Sequence, residues 1–319
     1  MDSLRSEIRS FLGLTHPELG GAPVVHEEVR EEAFTRKAVS YTASDGETIH
    51  AFLFEPLRAK RGAAVVVLHQ HNSEWAIGKS EIAGLIGDPL QAFGPALARA
   101  GLTVLAPDAI GFESRCAQVP AVTKAHGTAD GWLQYYNHAM HRLVRGELLM
   151  TKILADVASA ITAVGELAST DRVGVAGHSY GGNVALFAAA LDTRIAFACS
   201  SGAACSFRHK LAHGTGLEMA LVIPGFATRF DLDDLMRCVA PRNLLVVSSD
   251  SDPMSADASD LVARARPAYL ALDCVEKLQH LRVEGPHALD TLRFTAIVEW
   301  LAAQGSNVGG TGAARALLL

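Results

Sequence analysis

Continuous apolar runs rich in valine alternate along the chain with segments of helical periodicity. The run GAAVVVLH at residues 62–69 is typical of a strand buried on both faces. Similar runs follow in LTVLAPD, RVGVAGHS, RIAFACSS, NLLVVSS and LQHLRVEG, and KAVSYTASDGETIHAFLFEP predicts two strands joined by a turn. This alternation predicts an α/β fold, with a mostly parallel central sheet covered by helices on both faces.

Helical periodicity is clearest in GELLMTKILADVASAITAVGELAS, where apolar residues recur at intervals of three and four. Further helices are predicted over PLQAFGPALARAG, from near Asn183, within residues 256–277 and over residues 288–303. The first 22 residues predict an amphipathic helical extension that precedes the main domain.

The main domain is predicted to span residues 23–303, and two insertions interrupt its alternation of strands and helices. They lie near residues 112–146 and 205–240. Long insertions after strand ends commonly build lids and substrate pockets, so we expect them to form a cap. The glycine-rich residues 304–319 predict a flexible tail.

The composition is that of a globular protein with a sizeable core: 319 residues, 49% hydrophobic, 19% charged, with a formal charge of −6. This balance favours neither nucleic acid nor a membrane as a partner. No secretory signal or membrane span is evident. The chain has five cysteines, an odd number that cannot all pair with one another, and none of them has C-x-x-C spacing. This pattern favours free thiols in a reducing compartment. We therefore expect a cytoplasmic protein.

Ser179 lies between two glycines in GHSYG, at the junction of a predicted strand and a predicted helix. A serine hydroxyl is a weak nucleophile at neutral pH and needs an adjacent base. A tight strand-to-helix turn exposes the hydroxyl at the carboxyl edge of the sheet, and the glycines permit the strained backbone. The pattern predicts a nucleophile elbow with Ser179 as the nucleophile.

Such an elbow requires an acid after a later strand and a histidine after the last one. His287 follows the strand LQHLRVEG, and we predict it to be the general base. Asp250 and Asp252 both follow the strand NLLVVSS. We predict Asp252 to be the acid that orients the imidazole, with Asp250 as the alternative.

An acyl-transfer site also needs backbone N–H donors that stabilise an oxyanion. Tyr180, directly after the nucleophile, is predicted to supply one of them. The second is expected from the loop after GAAVVVLH, where Gln70 and His71 are the candidates. His69 and His71 could instead bind a metal ion, but no third ligand is evident, so neither a metal nor a cofactor is predicted.

Four segments of this chain resemble those of α/β-hydrolases: VVVLHQHNSEW, APDAIGFESR, RVGVAGHSYGGN and PRNLLVVSSDSDP. The resemblance covers residues 37–303, and the chain is most similar to dienelactone-hydrolase-like and acetyl-xylan-esterase-like proteins. It implies the α/β-hydrolase fold and hydrolysis of a small-molecule carboxylic ester through an acyl-enzyme, without a cofactor. Dienelactone hydrolases themselves use a cysteine where this chain has Ser179.

Several interpretations of the substrate remain open at this point. A lactonase or a drug-ester-inactivating hydrolase would use the same triad, as would a peptidase or amidase. A non-catalytic binding protein of this fold is disfavoured, because serine, aspartate and histidine all occur in order. Five aromatic residues are candidates for a substrate-binding wall, with ordinary packing as the alternative: Trp75, Trp132, Tyr135, Tyr136 and Phe207. The sequence leaves homodimerisation undecided.

Overall fold

One twisted sheet organises the part of the chain that the computed structural model describes, which comprises residues 1–14, 22–58, 62–71, 73–118 and 128–305. Its strands are β1 (Val24–Arg30), β2 (Phe34–Thr42), β3 (Thr48–Pro56), β4 (Ala64–Leu68), β5 (Thr103–Pro107), β6 (Val173–His178), β7 (Ile195–Ser201), β8 (Asn243–Ser249) and β9 (Leu278–Val283). Their order across the sheet is β1-β2-β3-β5-β4-β6-β7-β8-β9. The pairs from β1 to β5 are antiparallel, and all pairs from β5 to β9 are parallel. The predicted mostly parallel α/β sheet is therefore confirmed.

The helices cover both faces of this sheet. They are α1 (Asp2–Phe11), α2 (Lys79–Ile82), α3 (Phe93–Arg99), α4 (Thr128–Val144), α5 (Leu149–Ala168), α6 (Tyr180–Leu191), α7 (Phe207–His213), α8 (Leu232–Val239), α9 (Ala258–Leu270) and α10 (Thr291–Gln304). Val66 of β4 belongs to the core under α5 and α6, whereas its neighbours Val65 and Val67 belong to the core under α3 and α10. The continuous apolar run of β4 thus serves two cores at once.

Three element boundaries differ from the sequence-based expectation. The edge strand β1 was not predicted, because it reads VVHEEVR and is exposed at all but one position, so only backbone pairing to β2 identifies it. The helix after Ser179 begins at Tyr180 rather than near Asn183, because Ser179 itself occupies the N-cap position. The last helix begins at Thr291, where the Asp290 carboxylate caps it by accepting from the Arg293 N–H.

The N-terminal helix α1 packs against α6 and α8 and shares their core through Ile8. The Arg5 side chain donates to the carbonyl of Ala190, and the Arg9 side chain donates to that of Leu191. Both carbonyls belong to the last turn of α6, where cations are favourable. The remainder of the predicted extension, residues 15–21, lies outside the described residues.

The two predicted insertions differ in how they meet the domain. The first contributes α4, and its residues 119–127 lie outside the described residues, as does the tail from 306. The second contains α7 and then α8, whose apolar face is buried against α6 and α9. That the two insertions form a cap stays a prediction.

Among the described residues no single helix has both the length and the apolar character of a membrane span. Residues 131–144 of α4 and the helix α5 meet both criteria only when they are taken together, across a bend of 105°. The five cysteines are free thiols, and four of them are buried.

Candidate active site

The turn between β6 and α6 places Ser179 at the carboxyl edge of the sheet. Ser179 has φ 56° and ψ −120°, a conformation that costs energy for a residue with a side chain. Its N–H donates to the carbonyl of Ser201 at 2.8 Å, which continues the pairing of β6 with β7. The strand thus extends to the serine before the chain reverses into the helix.

The flanking glycines permit close approach of backbone to backbone. A Cβ atom on Gly177 would lie 2.3 Å from the carbonyl carbon of Gly181, and one on Gly181 would lie 2.1 Å from the carbonyl oxygen of Leu68. Both contacts involve main chain, which cannot rotate away as a side chain can. The two glycines are therefore required for the turn to exist.

Gly181→Ala is expected to destabilise the fold by about 3 kcal/mol or more, because overpacking forces β4 and α6 apart. Gly62→Ala is the matched control, since a Cβ there has no atom within 4 Å. Thermal unfolding of both variants measures the difference. Equal midpoints for Gly181→Ala and the wild type would show that the elbow tolerates a side chain.

The structure brings Ser179, His287 and Asp252 into one hydrogen-bonded chain. His287 Nε2 lies 2.8 Å from Ser179 Oγ, and His287 Nδ1 lies 2.9 Å from Asp252 Oδ1. Asp252 is buried, with its side chain 0% exposed. Because a carboxylate only accepts, Nδ1 carries the proton and Nε2 is left to accept from the serine hydroxyl.

The Asp252 carboxylate is held in its ionised form although it is buried. Burial raises its pKa, but the hydrogen bond and charge of His287 lower it, as do bonds from the Ser255 hydroxyl and the Met254 N–H. The balance leaves the pKa below its usual value. The latter two bonds measure 2.7 and 2.8 Å and fix the orientation of the carboxylate.

Asp250 lies on the surface and contacts a different part of the structure. Its Oδ1 accepts from the N–H of Gly285 and from the hydroxyl of Ser251, both at 3.0 Å. These bonds lower the pKa of Asp250 and tie the end of β8 to the end of β9. Asp250 is thus a loop residue in this arrangement, and Asp252 is the aspartate that meets the imidazole.

Two further side chains hold the loop that carries His287. The Ser249 hydroxyl donates to the carbonyl of Pro286 at 2.9 Å. The guanidinium of Arg293 is buried and donates to Ser249 Oγ at 3.2 Å and to the carbonyl of Ala288. Because the carbonyls on both sides of His287 are bonded, the imidazole is fixed above Ser179.

The predicted oxyanion-hole residues lie beside the elbow. Tyr180 is the first residue of α6, so its N–H has no acceptor within the helix and points out of the N-terminus. The Gln70 side chain turns away and donates to Glu81 at 3.0 Å. His69 is buried, accepts from the Ala109 N–H through Nε2 and donates to the Gln70 carbonyl through Nδ1. With both ring nitrogens engaged, His69 is not arranged as a metal ligand.

His71 is enclosed by aromatic rings. Its ring centroid lies 5.0 Å from that of Trp75, 5.4 Å from that of Phe112, 5.9 Å from that of Tyr135 and 6.4 Å from that of Tyr180. Burial and the neighbouring His69 lower the pKa of His71 to about 4. The side chain is therefore neutral at physiological pH.

The five aromatic residues predicted to form one substrate-binding wall are distributed over three places. Trp75 and Tyr135 enclose His71, as described above. Phe207 is buried against Phe226, with ring centroids 5.1 Å apart. Trp132 and Tyr136 stack on each other at 5.2 Å on the exposed side of α4. Trp75 and Tyr135 are thus the ones beside the oxyanion loop.

A cluster of charged side chains surrounds Lys152, in which Lys152, Arg115 and Asp156 are buried, Glu47 is half-buried and Asp45 is exposed. Lys152 Nζ lies 2.5 Å from Asp45, 2.8 Å from Glu47 and 2.9 Å from Asp156. The buried Arg115 contacts Glu47 and Asp156 as well. The three carboxylates come close enough together to suggest a cation site, but the Lys152 ammonium already occupies the space between them.

The fold is shared with three solved esterase structures. A Bacteroides fragilis protein described as a candidate acetyl xylan esterase has a TM-score of 0.73 at 14% identity, covering 95% of this chain and 86% of that one. The methylesterase BT1017 has a TM-score of 0.66 at 19% identity, covering 95% and 62%. A glucuronoyl esterase from Solibacter usitatus has a TM-score of 0.63 at 17% identity, covering 95% and 92%. No protein of curated function matches the chain in sequence.

The fold and the serine elbow together define an α/β-hydrolase of the serine esterase class. The family model of the acetyl xylan esterases (AXE1) matches residues 29–212, which is more than half of the chain. The chain belongs to this family and is a carboxylic ester hydrolase. The predicted fold, superfamily and enzyme class are thereby confirmed.

Proposed function

We propose that this protein cleaves acetyl esters through an acyl-enzyme intermediate, with Ser179 as nucleophile, His287 as general base and Asp252 as the orienting acid. The observation that carries the proposal is the continuous hydrogen-bonded chain from Ser179 Oγ through His287 to Asp252. It is a geometry in which a neutral imidazole accepts the serine proton while its other nitrogen faces a carboxylate.

The proposed reaction begins when His287 Nε2 takes the proton of Ser179 and the serine oxygen attacks the ester carbonyl. The oxyanion that forms is stabilised by the N–H of Tyr180 and by the N–H of His71. His287 then donates its proton to the departing alcohol, which leaves an acetyl-serine. A water molecule that His287 deprotonates attacks the acetyl group, and acetate is released as Ser179 regains its proton.

Asp252 supports both half-reactions without changing its own charge. Its lowered pKa keeps it ionised at neutral pH, so it stabilises the imidazolium that forms in each step. The bonds to Ser255 and Met254 prevent the carboxylate from rotating away from His287.

The family supports an acetylated xylan, or its soluble fragments, as the substrate class. We expect acetate release from acetylated xylo-oligosaccharides, and hydrolysis of p-nitrophenyl acetate more than about tenfold faster than of the octanoate. Acetate assays and p-nitrophenol release, each with a Ser179→Ala control, measure this. Faster cleavage of long-chain esters, with no acetate from the oligosaccharides, would contradict the substrate class and leave the serine mechanism intact.

A further inference from the structure

Glu218, in the second insertion, is largely buried, with its side chain 17% exposed, where four parts of the structure meet. Its Oε1 accepts from the Tyr135 hydroxyl on α4 at 3.1 Å and lies 3.9 Å from His71 Nε2 in the loop after β4. Its Oε2 accepts from the N–H of Ala220 at 2.7 Å. The ring centroid of Tyr180, at the start of α6, lies 6.4 Å from that of His71. The carboxyl group thus contacts α4 and lies near the oxyanion loop and the start of α6.

His71 connects this carboxyl group to the backbone of the oxyanion loop. Its Nδ1 accepts from the Ser73 N–H at 3.1 Å, so its Nε2 carries the proton and faces Glu218. Ser73 has φ 54°, a left-handed conformation that needs support from its surroundings. The carbonyl of His71 accepts from the N–H of Glu74 at 3.2 Å. The orientation of the His71 side chain and the direction of its peptide groups are therefore coupled.

We propose that Glu218 is a positioning residue for the oxyanion hole, acting through the imidazole of His71 on the backbone amide of that residue. The inference rests on the proposed function, in which the His71 N–H is one of the two oxyanion donors. Glu218 does not touch the reacting atoms. It attracts the Nε2–H of His71, which keeps the ring in the aromatic enclosure and the loop in its strained turn.

The charge of Glu218 is sensitive to pH in the physiological range. Burial raises its pKa to about 7, although the Ala220 N–H and the Tyr135 hydroxyl oppose the shift. The titratable groups that face it are Tyr135 from α4, His71 from the oxyanion loop and Tyr180 from α6. The pKa of both tyrosines is raised well above its usual value, and that of His71 is lowered, so Glu218 alone changes charge near neutrality.

Steady-state kinetics of Glu218→Gln, His71→Asn and the double variant on p-nitrophenyl acetate test the proposal. The asparagine introduced by His71→Asn retains an acceptor for the Ser73 N–H but has no group in place of Nε2. Each single variant is expected to lower kcat about tenfold with little change in KM, which is less than the 10²–10³-fold cost of deleting an oxyanion donor. The double variant should be no slower than the slower single variant, because both changes break one interaction.

The pH dependence separates positioning from a purely structural role. The ratio of wild-type kcat to Glu218→Gln kcat should rise severalfold between pH 6 and pH 8, as the native carboxyl group ionises. Tyr135→Phe removes the hydroxyl that holds Glu218 and should lower kcat in the same direction, and it replaces Glu218→Gln if that variant does not fold. Glu166→Gln, an exposed carboxylate on α5, is the control that leaves kcat unchanged.

Three results would overturn the inference. The first is a wild-type kcat in folded Glu218→Gln, the second is a ratio that stays flat with pH, and the third is a double variant that loses the product of the two single effects. If wild type hydrolyses the ester and Ser179→Ala does not, these results contradict only the role of Glu218. If wild type itself neither hydrolyses esters nor reacts with a fluorophosphonate, the proposed function fails and the inference fails with it.

Discussion

Ser179→Ala is expected to lower kcat/KM on the order of 10⁴- to 10⁶-fold on every ester that the wild type cleaves. The alanine lacks the hydroxyl oxygen, which is the only protein atom in the proposed mechanism that bonds to the acyl carbon. The hydroxyl also accepts no structural hydrogen bond from the main chain in the described residues, so its loss leaves the fold intact. Hydrolysis of p-nitrophenyl acetate measures the loss of kcat/KM, and thermal unfolding of the same variant shows whether the fold is retained.

Ser251→Ala is the matched control for this substitution. The Ser251 hydroxyl contacts Asp250 on the exposed loop, away from His287, and its removal should leave kcat/KM near the wild-type value. Residual activity of Ser179→Ala within tenfold of the wild type, in a folded protein, would exclude Ser179 as the nucleophile.

Asp252→Asn is expected to lower kcat about 10⁴-fold, the second largest effect. An amide in place of the carboxylate presents an NH₂ group or a neutral carbonyl to His287 Nδ1. If the NH₂ group faces Nδ1, the imidazole proton moves to Nε2, and Nε2 can no longer accept the proton of Ser179. If the carbonyl faces Nδ1, the neutral amide stabilises the imidazolium poorly. The kcat of purified Asp252→Asn at pH 7 to 8 measures this.

Asp250→Asn is the matched control for the assignment of Asp252 as the triad acid. Its Oδ1 can still accept from the N–H of Gly285, so the loop between β9 and α10 should keep its shape. We expect kcat close to the wild-type value. A large loss in Asp250→Asn with little loss in Asp252→Asn would reverse the assignment of the acid.

Much of the sheet could be predicted from the sequence because its strands are buried on both faces. The runs that form β4, β6 and β8 are continuous and apolar, because side chains on both faces of these strands are buried. The edge strand β1 could not be predicted, since its side chains are exposed and its pairing with β2 depends on main-chain groups.

The site could be predicted only as far as local sequence determines it. The elbow at Ser179 is a local structure whose glycines are required by contacts within a few residues and with β4. The choice between Asp250 and Asp252 depended on which side chain turns inward at the end of β8, which is set by the hydrogen bonds from Ser255 and Met254. The sequence favours Asp252 but keeps Asp250 as the alternative, because the two aspartates lie only two residues apart after the same strand.

Glu218 had no signal in the sequence at all. It lies in the stretch GLEMALVIPGF, where a lone glutamate among apolar residues is usually a solvent-exposed side chain. Its contacts with Tyr135 and His71 join residues 83 and 147 positions apart, and only the folded chain brings them together. The five aromatic candidates lie in different places, since Phe207 packs into the core while Trp132 stays exposed, and this distribution also depends on the folded chain.

The most direct test of the central claim is to locate the adduct of a fluorophosphonate by peptide mass spectrometry while ester hydrolysis is followed in the same sample. The account predicts one adduct per chain, on the peptide that contains Ser179, with hydrolysis of p-nitrophenyl acetate falling in proportion to labelling. Hydrolysis that persists after labelling is complete, or an adduct on another residue that alone accounts for the loss, would contradict it.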